Sequence, residues 1–229
     1  MTDRKHLPIF SDGGLCSALL DLLFPPRCPF CRKLLAAGER GLCSLCQRDL
    51  PWLTGAEAGQ KGEFYRLCVS PLRYQGEVRA SIHRYKFKGS RGYAGIYGTL
   101  VAQCVADNLE GEYDLISWVP LSKKRKRERG YDQARLLAEA TAKGLGASAA
   151  ETLGKKRHTG AQSSLKEEAE RRANVLGAYE VTDEALVAGK RVLLVDDVLT
   201  TGSTLSECAR VLRTAGAKEV VCATLARVK

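Results

Sequence analysis

Asp196 and Asp197 close the apolar run Val192-Leu-Leu-Val195, and Thr200, Thr201, Gly202, Ser203 and Thr204 follow almost at once. Two carboxylates and four hydroxyls therefore share one short turn. The run before them reads as a strand buried in a parallel sheet. Beyond them, Leu205, Cys208, Ala209 and Leu212 recur at the spacing of one helix face, and Gly216 supplies a left-handed stop. The turn thus lies at the carboxyl end of a strand, where open α/β sheets bind their ligands. A helix N-terminus offers unpaired N–H groups and partial positive charge to an anion, the hydroxyls add donors, and Gly202 lets the backbone approach a phosphate closely. Carboxylates repel that same phosphate, so Asp196 and Asp197 suit sugar hydroxyls, or a Mg²⁺ ion that those hydroxyls share with a second phosphate. The chemistry is that of a site for a phosphorylated sugar. An ordinary strand-turn-helix has no packing reason to end in two aspartates and four hydroxyls. No Gly-x-x-x-x-Gly-Lys argues for a nucleotide triphosphatase instead.

A second constellation is Cys28-Pro-Phe-Cys31, eleven intervening residues, then Cys43-Ser-Leu-Cys46. Two Cys-x-x-Cys knuckles at this spacing suit a small zinc ribbon, whose four thiolates close a tetrahedral, structural shell around Zn²⁺. The segment is small and polar, so metal binding is expected to supply most of its folding free energy. Two disulfides are the alternative pairing, with no secretory signal to support them. Cys16, Cys68, Cys104, Cys208 and Cys222 stand singly among apolar neighbours and read as small core residues.

Cations form two further clusters. Leu115, Ile116, Trp118 and Val119 make a strand ending at Pro120, and the turn beyond carries Lys123, Lys124, Arg125, Lys126, Arg127 and Arg129. A strand end facing cations suits a polyanion, although Arg125 to Arg127 read equally well as a solvated loop. Upstream, Arg84, Lys86, Lys88 and Arg91 interleave with Tyr85, Phe87 and Tyr93. That mixture could stack bases and neutralise phosphates of single-stranded DNA. Alternatively, Tyr85 joins Val78 and Ile82 on the apolar face of a helix, leaving the basic residues as its solvated side.

The elements that must position these groups fit one domain plus a small appendage in 229 residues, 45% of them hydrophobic. A net charge of +10 points to anionic partners such as phosphorylated metabolites or nucleic acid. No apolar stretch is long enough to cross a bilayer, so no membrane insertion is expected. Leu15 to Phe24 make a poor signal sequence, since Asp12 and Asp21 flank or interrupt the run and no small-residue cleavage site precedes Pro25-Pro26. Leu15, Leu19, Leu22 and Leu23 instead mark a short helix, and a cytoplasmic location is expected. The expected order is a polar start, this helix with the ribbon over 14–54, a Gly- and Ala-containing linker through Gly62, and a main domain over 65–229. Within the main domain, a helix at Val78, Ile82 and Tyr85 precedes the strand Leu115 to Val119. A helix from Gln133 to Leu145, a capping box at Ser164 and Glu167, and a strand from Val220 to Ala226 follow. This alternation predicts a parallel sheet covered by helices on both faces.

Val192-Leu-Leu-Val-Asp-Asp-Val-Leu-Thr-Thr-Gly-Ser-Thr204 resembles, unbroken over thirteen residues, the phosphoribosyl pyrophosphate (PRPP) motif of type I phosphoribosyltransferases. Together with the ribbon it resembles the ComF-like competence family, in which a zinc ribbon precedes such a domain. Three more blocks agree: Tyr74 to Gly89, Asp114 to Ser122 followed by Arg129 to Ala134, and His158 to Leu165 leading to Arg171, Asn174 and Val175. The resemblance implies an α/β type I phosphoribosyltransferase-like sheet behind a ribbon ligated by Cys28, Cys31, Cys43 and Cys46. It implies PRPP bound with Mg²⁺: Thr200, Thr201, Gly202, Ser203 and Thr204 on the 5-phosphate, Asp196 and Asp197 on ribose and metal, and Ser122, Lys123 and Arg129 on pyrophosphate. It implies a part in DNA uptake, either as an enzyme moving ribosyl phosphate from PRPP to a nitrogen acceptor or as a catalytically silent accessory. Such an accessory binds single-stranded DNA or a competence partner such as a helicase.

Overall fold

The computed structural model describes residues 25–156 and 173–228. The expected helix over Leu15 to Leu23, the capping box at Ser164 and Glu167, and the block from His158 to Arg171 lie outside them. In chain order come α1 (Ser44–Asp49), a 3-10 turn (Gly55–Ala58), β1 (Gly59–Gln60), β2 (Cys68–Val69), β3 (Leu72–Arg73), α2 (Gly76–Phe87) and α3 (Tyr93–Leu109). Then follow β4 (Leu115–Trp118), α4 (Lys123–Arg129), α5 (Gln133–Gly144), β5 (Leu153–Lys155), β6 (Tyr179–Val181), α6 (Glu184–Val187), β7 (Arg191–Leu199), α7 (Ser203–Thr214) and β8 (Glu219–Arg227).

The main sheet runs β1-β2-β8-β7-β4, with β3 also pairing β8. All its pairings are parallel except β1 with β2. β5 and β6 form a separate antiparallel hairpin. β7 and β8 lie at the centre, and their near-continuous apolar runs are what burial on both faces demands. Side chains alternate across a strand. Leu193 and Val195 therefore join the core beneath α2, α3 and α5, while Val192 and Leu194 join Leu205, Cys208, Ala209 and Leu212 of α7. The expected two-faced parallel sheet is present.

Three local expectations need correction. β7 runs on to Leu199, so Asp196 and Asp197 sit within the strand and not in the turn after it. The basic stretch after Pro120 is the helix α4, capped at one end by Ser122 and at the other by Gly130 in the left-handed region (φ 75°). Strong helix formers and good caps outweigh the lack of an apolar period there. The stretch expected to link the ribbon to the main domain instead includes the 3-10 turn and β1, which pairs with β2 and so belongs to the sheet.

Among the described residues no helix is long and apolar enough to cross a membrane. α3 and α5 pack at the distance of small residues. A Cβ on Gly98 would lie 2.3 Å from Ala140 Cβ and 2.7 Å from its carbonyl carbon. Alanine gains about 1 kcal/mol over glycine in a helix interior, but backbone cannot move aside as a flexible side chain can. Gly98→Ala is expected to lower stability by about 1–3 kcal/mol in urea unfolding, with helix content unchanged by circular dichroism.

Candidate functional site

β4 stops with Trp118 opposite Val195, while β7 continues beyond it. The two aspartates therefore stand past the end of the neighbouring strand, one on each face of the sheet. Asp197, only 5% exposed, continues the Leu193 and Val195 face. Its Oδ1 lies 2.6 Å from Lys86 Nζ of α2, and its Oδ2 accepts from Gln133 Nε2 of α5 at 3.1 Å. Gln133 Oε1 is buried without a partner. Asp196 continues the other face, toward Tyr179 and Cys208. Burial and the neighbouring Asp197 carboxylate push Asp196 up to about 8, against the pull of the Lys86 ammonium and of the Asp197 N–H that donates to it.

The turn closes with Gly202 at φ 80°, a conformation that favours glycine, directly before α7. A Cβ there would stand 2.9 Å from Tyr65 Oη. Tyr65 is buried and roofs the turn. Thr201 Oγ1 and Ser203 Oγ are 2.8 Å apart, and no acidic residue occupies the first turn of α7. Thr200 is exposed, and Thr201 and Thr204 are half-buried. Hydroxyls and the first N–H groups of α7 thus gather in one turn, an arrangement that suits an anion.

The residues expected on pyrophosphate divide. Ser122 is buried and its Oγ accepts from Arg125 N at 3.4 Å, capping α4. Lys123 is exposed at the first position of that helix. Arg129 is half-buried with its guanidinium 4.7 Å from the Phe87 ring centroid. Burial lowers its pKa, opposed by the Asp197 carboxylate it faces. Arg125, four residues earlier on the same helix face, is half-buried too.

Sequence reasoning missed Tyr65, Gln133 and the inward role of Lys86. Arg84 and Lys86 do not line a solvated helix face. Arg84 Nη2 donates to Pro29 O at 2.9 Å and to Phe30 O at 2.6 Å, and the Lys86 side chain is 21% exposed. Arg91 donates to Gly130 O and lies over Tyr131. Lys88 stays exposed.

The ribbon brings Cys28, Cys31, Cys43 and Cys46 together, with all four sulfurs within 4.8 Å of one another. Tetrahedral ligation at about 2.3 Å sets sulfurs about 3.8 Å apart, so the cluster fits Zn²⁺. All four are free thiols, and the Cys31 and Cys43 sulfurs, 3.5 Å apart, are too distant for the alternative disulfides. The thiols perturb one another: burial raises Cys28, but backbone N–H groups of Cys43, Cys31 and Phe30 outweigh it and hold Cys28 below its ordinary pKa, while burial holds Cys31 and Cys46 above theirs. The ribbon is not held by metal alone. Phe30 is fully buried, 5.7 Å from the Tyr97 ring, and joins the core under α2 and α3.

These features define a phosphoribosyltransferase-type domain that carries an N-terminal zinc ribbon. The family model for the phosphoribosyl transferase domain matches residues 132–229, and that for the double zinc ribbon domain matches residues 19–58. The chain is 31% identical over 229 residues to the DNA utilization protein YhgH of Salmonella typhimurium, covering 89% of this chain and 100% of that one. It is 30% identical over 224 residues to Competence protein F of Haemophilus influenzae, covering 88% and 96%. It belongs to the ComF-like competence family. Among solved structures, the glutamine PRPP amidotransferase of B. subtilis aligns with a TM-score of 0.39 and 27% identity, over 58% of this chain and 26% of that one.

Two outcomes follow from this geometry. The folded-state pKa of Asp196 lies above the ordinary 3.8, so the native protein holds a proton there that the unfolded chain has released. Stability from this group is full below pH 3.8 and is lost as pH rises to about 8. In Mg²⁺-free buffer Asp196→Asn is therefore expected to be more stable than wild type by an amount that grows across that window, at no more than about 1.4 kcal/mol per pH unit, in urea unfolding at a series of pH values. The wild-type protein is expected to carry zinc by elemental analysis, and Cys28→Ser combined with Cys31→Ser is expected to abolish it. A wild-type protein purified without chelator and free of zinc would refute the ribbon assignment.

Proposed function

We propose that this protein binds PRPP with Mg²⁺ at the carboxyl end of β7 and acts in DNA uptake during natural competence. One observation carries the reading: Asp196 and Asp197, near the end of β7, lead directly into a hydroxyl-rich turn at the start of α7, where Gly202 has φ 80°. In this reading Thr200, Thr201, Gly202, Ser203 and Thr204 hold the 5-phosphate through hydroxyls and helix N–H groups. Asp196 and Asp197 hold the ribose hydroxyls and the metal. Ser122, Lys123 and Arg129 receive the pyrophosphate, and the position of Arg125 adds it to that set. The donors suit Mg²⁺, a hard cation: two carboxylates and the unpartnered Gln133 Oε1 are all oxygens. Bound there, Mg²⁺ supplies charge neutralisation for pyrophosphate.

The competence role is supported by the names of the relatives, a DNA utilization protein and a competence protein. A division of the chain into 14–54 and 65–229, and a cytoplasmic site of action, belong to the same reading. If a nitrogen nucleophile is seated beside the ribose, its C–N bond forms as the bond to pyrophosphate breaks, and the cations of α4 stabilise the departing charge. A second reading, a silent accessory that binds single-stranded DNA or a competence helicase, is favoured by Phe87. This side chain is 58% exposed, 4.8 Å from the His83 ring and 4.7 Å from the Arg129 guanidinium, beside exposed Lys88. An aromatic platform with cations can stack a base.

Calorimetric titration of PRPP separates the two. Binding that requires Mg²⁺ and weakens about ten- to a hundredfold in the Asp196→Asn/Asp197→Asn protein is expected, the factor of a lost charge-assisted hydrogen bond. No binding to wild type with Mg²⁺ present would overturn the phosphoribosyl reading. Single-stranded DNA affinity that falls in Phe87→Ala would then favour the second.

A further inference from the structure

α2 touches both functional centres through neighbouring residues. Arg84 and Lys86 lie about 200° apart around the helix at 3.6 residues per turn, so they face opposite ways. On one side, Arg84 Nη2 forks onto Pro29 O and Phe30 O, the two carbonyls between the zinc ligands Cys28 and Cys31. Ser81, one turn earlier and fully buried, also donates to Pro29 O and meets Tyr97 Oη at 2.5 Å. On the other side, Lys86 reaches Asp197. Between them Tyr85 is fully buried: its Oη donates to Gln133 O at 2.8 Å and its carbonyl accepts from Tyr131 Oη. Gln133 is the second side chain on Asp197.

We propose that the zinc ribbon is a positioning element of the site at Asp197, with Arg84 the residue that transmits it. The knuckle Cys28–Cys31 seats the last turn of α2, and that turn sets Lys86 on Asp197 and Tyr85 against the start of α5. A metal that fixes Cys28 and Cys31 also fixes the two peptide carbonyls between them. When the metal leaves, only the Phe30 anchor and the Ser81 hydroxyl still hold the two carbonyls, so their fork on the part-buried Arg84 guanidinium loosens, and a poorly paired charge does not stay in place. Its Nε is already buried without a partner, so no nearby acceptor takes over. The last turn of α2 must then shift, and the Lys86 contact shifts with it. The meaning of this coupling for PRPP rests on the proposed function; the coupling itself does not. Linkage makes it reciprocal, so a ligand that orders Asp197 also tightens zinc.

The test is brief acetylation of the full-length protein with an amine-reactive ester, read by peptide mass spectrometry at Lys86 and normalised to exposed Lys190. Zinc-loaded protein is compared with protein stripped by a chelator, with amide exchange across α7 as the control for the rest of the fold. Zinc removal is expected to raise labelling of Lys86 roughly tenfold, the factor of one net hydrogen bond, while α7 keeps its protection. Arg84→Met is expected to do the same with zinc still bound. Unchanged Lys86 labelling after zinc loss, or full protection in zinc-loaded Arg84→Met, would overturn the proposal. Loss of protection in α7 would overturn it as well, because zinc would then hold the whole fold and no local link. PRPP that fails to bind while Lys86 still responds to zinc would remove the phosphoribosyl reading and leave the coupling standing.

Discussion

A carboxylate buried at the end of the central strand is the constraint on which the rest of this structure depends. Asp197 is 5% exposed, and a charge so placed must be met by an opposite charge and hydrogen bonds. Lys86 and Gln133 meet it, and they come from α2 and α5, so both helices have to end within reach of one side chain. Removing one partner of a buried pair costs about 3–5 kcal/mol, because the other is stranded. The pair between Arg48 and Asp49, with side chains 73% and 57% exposed, carries no such weight, since solvent already satisfies both.

The alternation of β7 explains why adjacent carboxylates behave differently. Asp197 faces the cationic side of the site. Asp196 faces the Cys208 and Tyr179 side, where burial and its neighbour raise its pKa. The pair is costly because, among the described residues, only Asp197 has a cation within contact distance, while Asp196 is met by the Asp197 N–H. Gly202 and Tyr65 shape the turn that follows: the left-handed backbone passes under the phenol, where a Cβ would stand 2.9 Å from the oxygen. Stability is given up at a point where charge can be received, as functional sites often do.

The ribbon belongs to the same economy of contacts. Its hydrophobic anchor Phe30 lies in the core beside Tyr97, and its knuckle carbonyls satisfy Arg84. A metal-bound appendage tethered only by a linker would need neither contact. Here the first knuckle, α2 and the end of β7 form a continuous packed unit, with Tyr85 and Tyr97 in edge-to-face contact at its centre.

What the sequence determined by itself is local. The strand, aspartates, hydroxyl turn and helix from Val192 to Leu212 were legible because each signal is carried by near neighbours: an apolar run, a glycine that needs positive φ, a helical period. The two cysteine knuckles were legible for the same reason, as ligand spacing within a short segment. The basic stretch at α4 misled because its seven residues hold no apolar period, and only the caps at Ser122 and Gly130 reveal a helix. The tertiary structure alone decided which side chains complete the site. Gln133 stands 64 residues from Asp197, and Arg84 stands 55 from Pro29. Lys86 looked solvated because a helix of mixed character does not declare which face will meet a partner. That choice is made when buried charges find their counterparts between packed elements, and such pairings depend on the path of the whole chain.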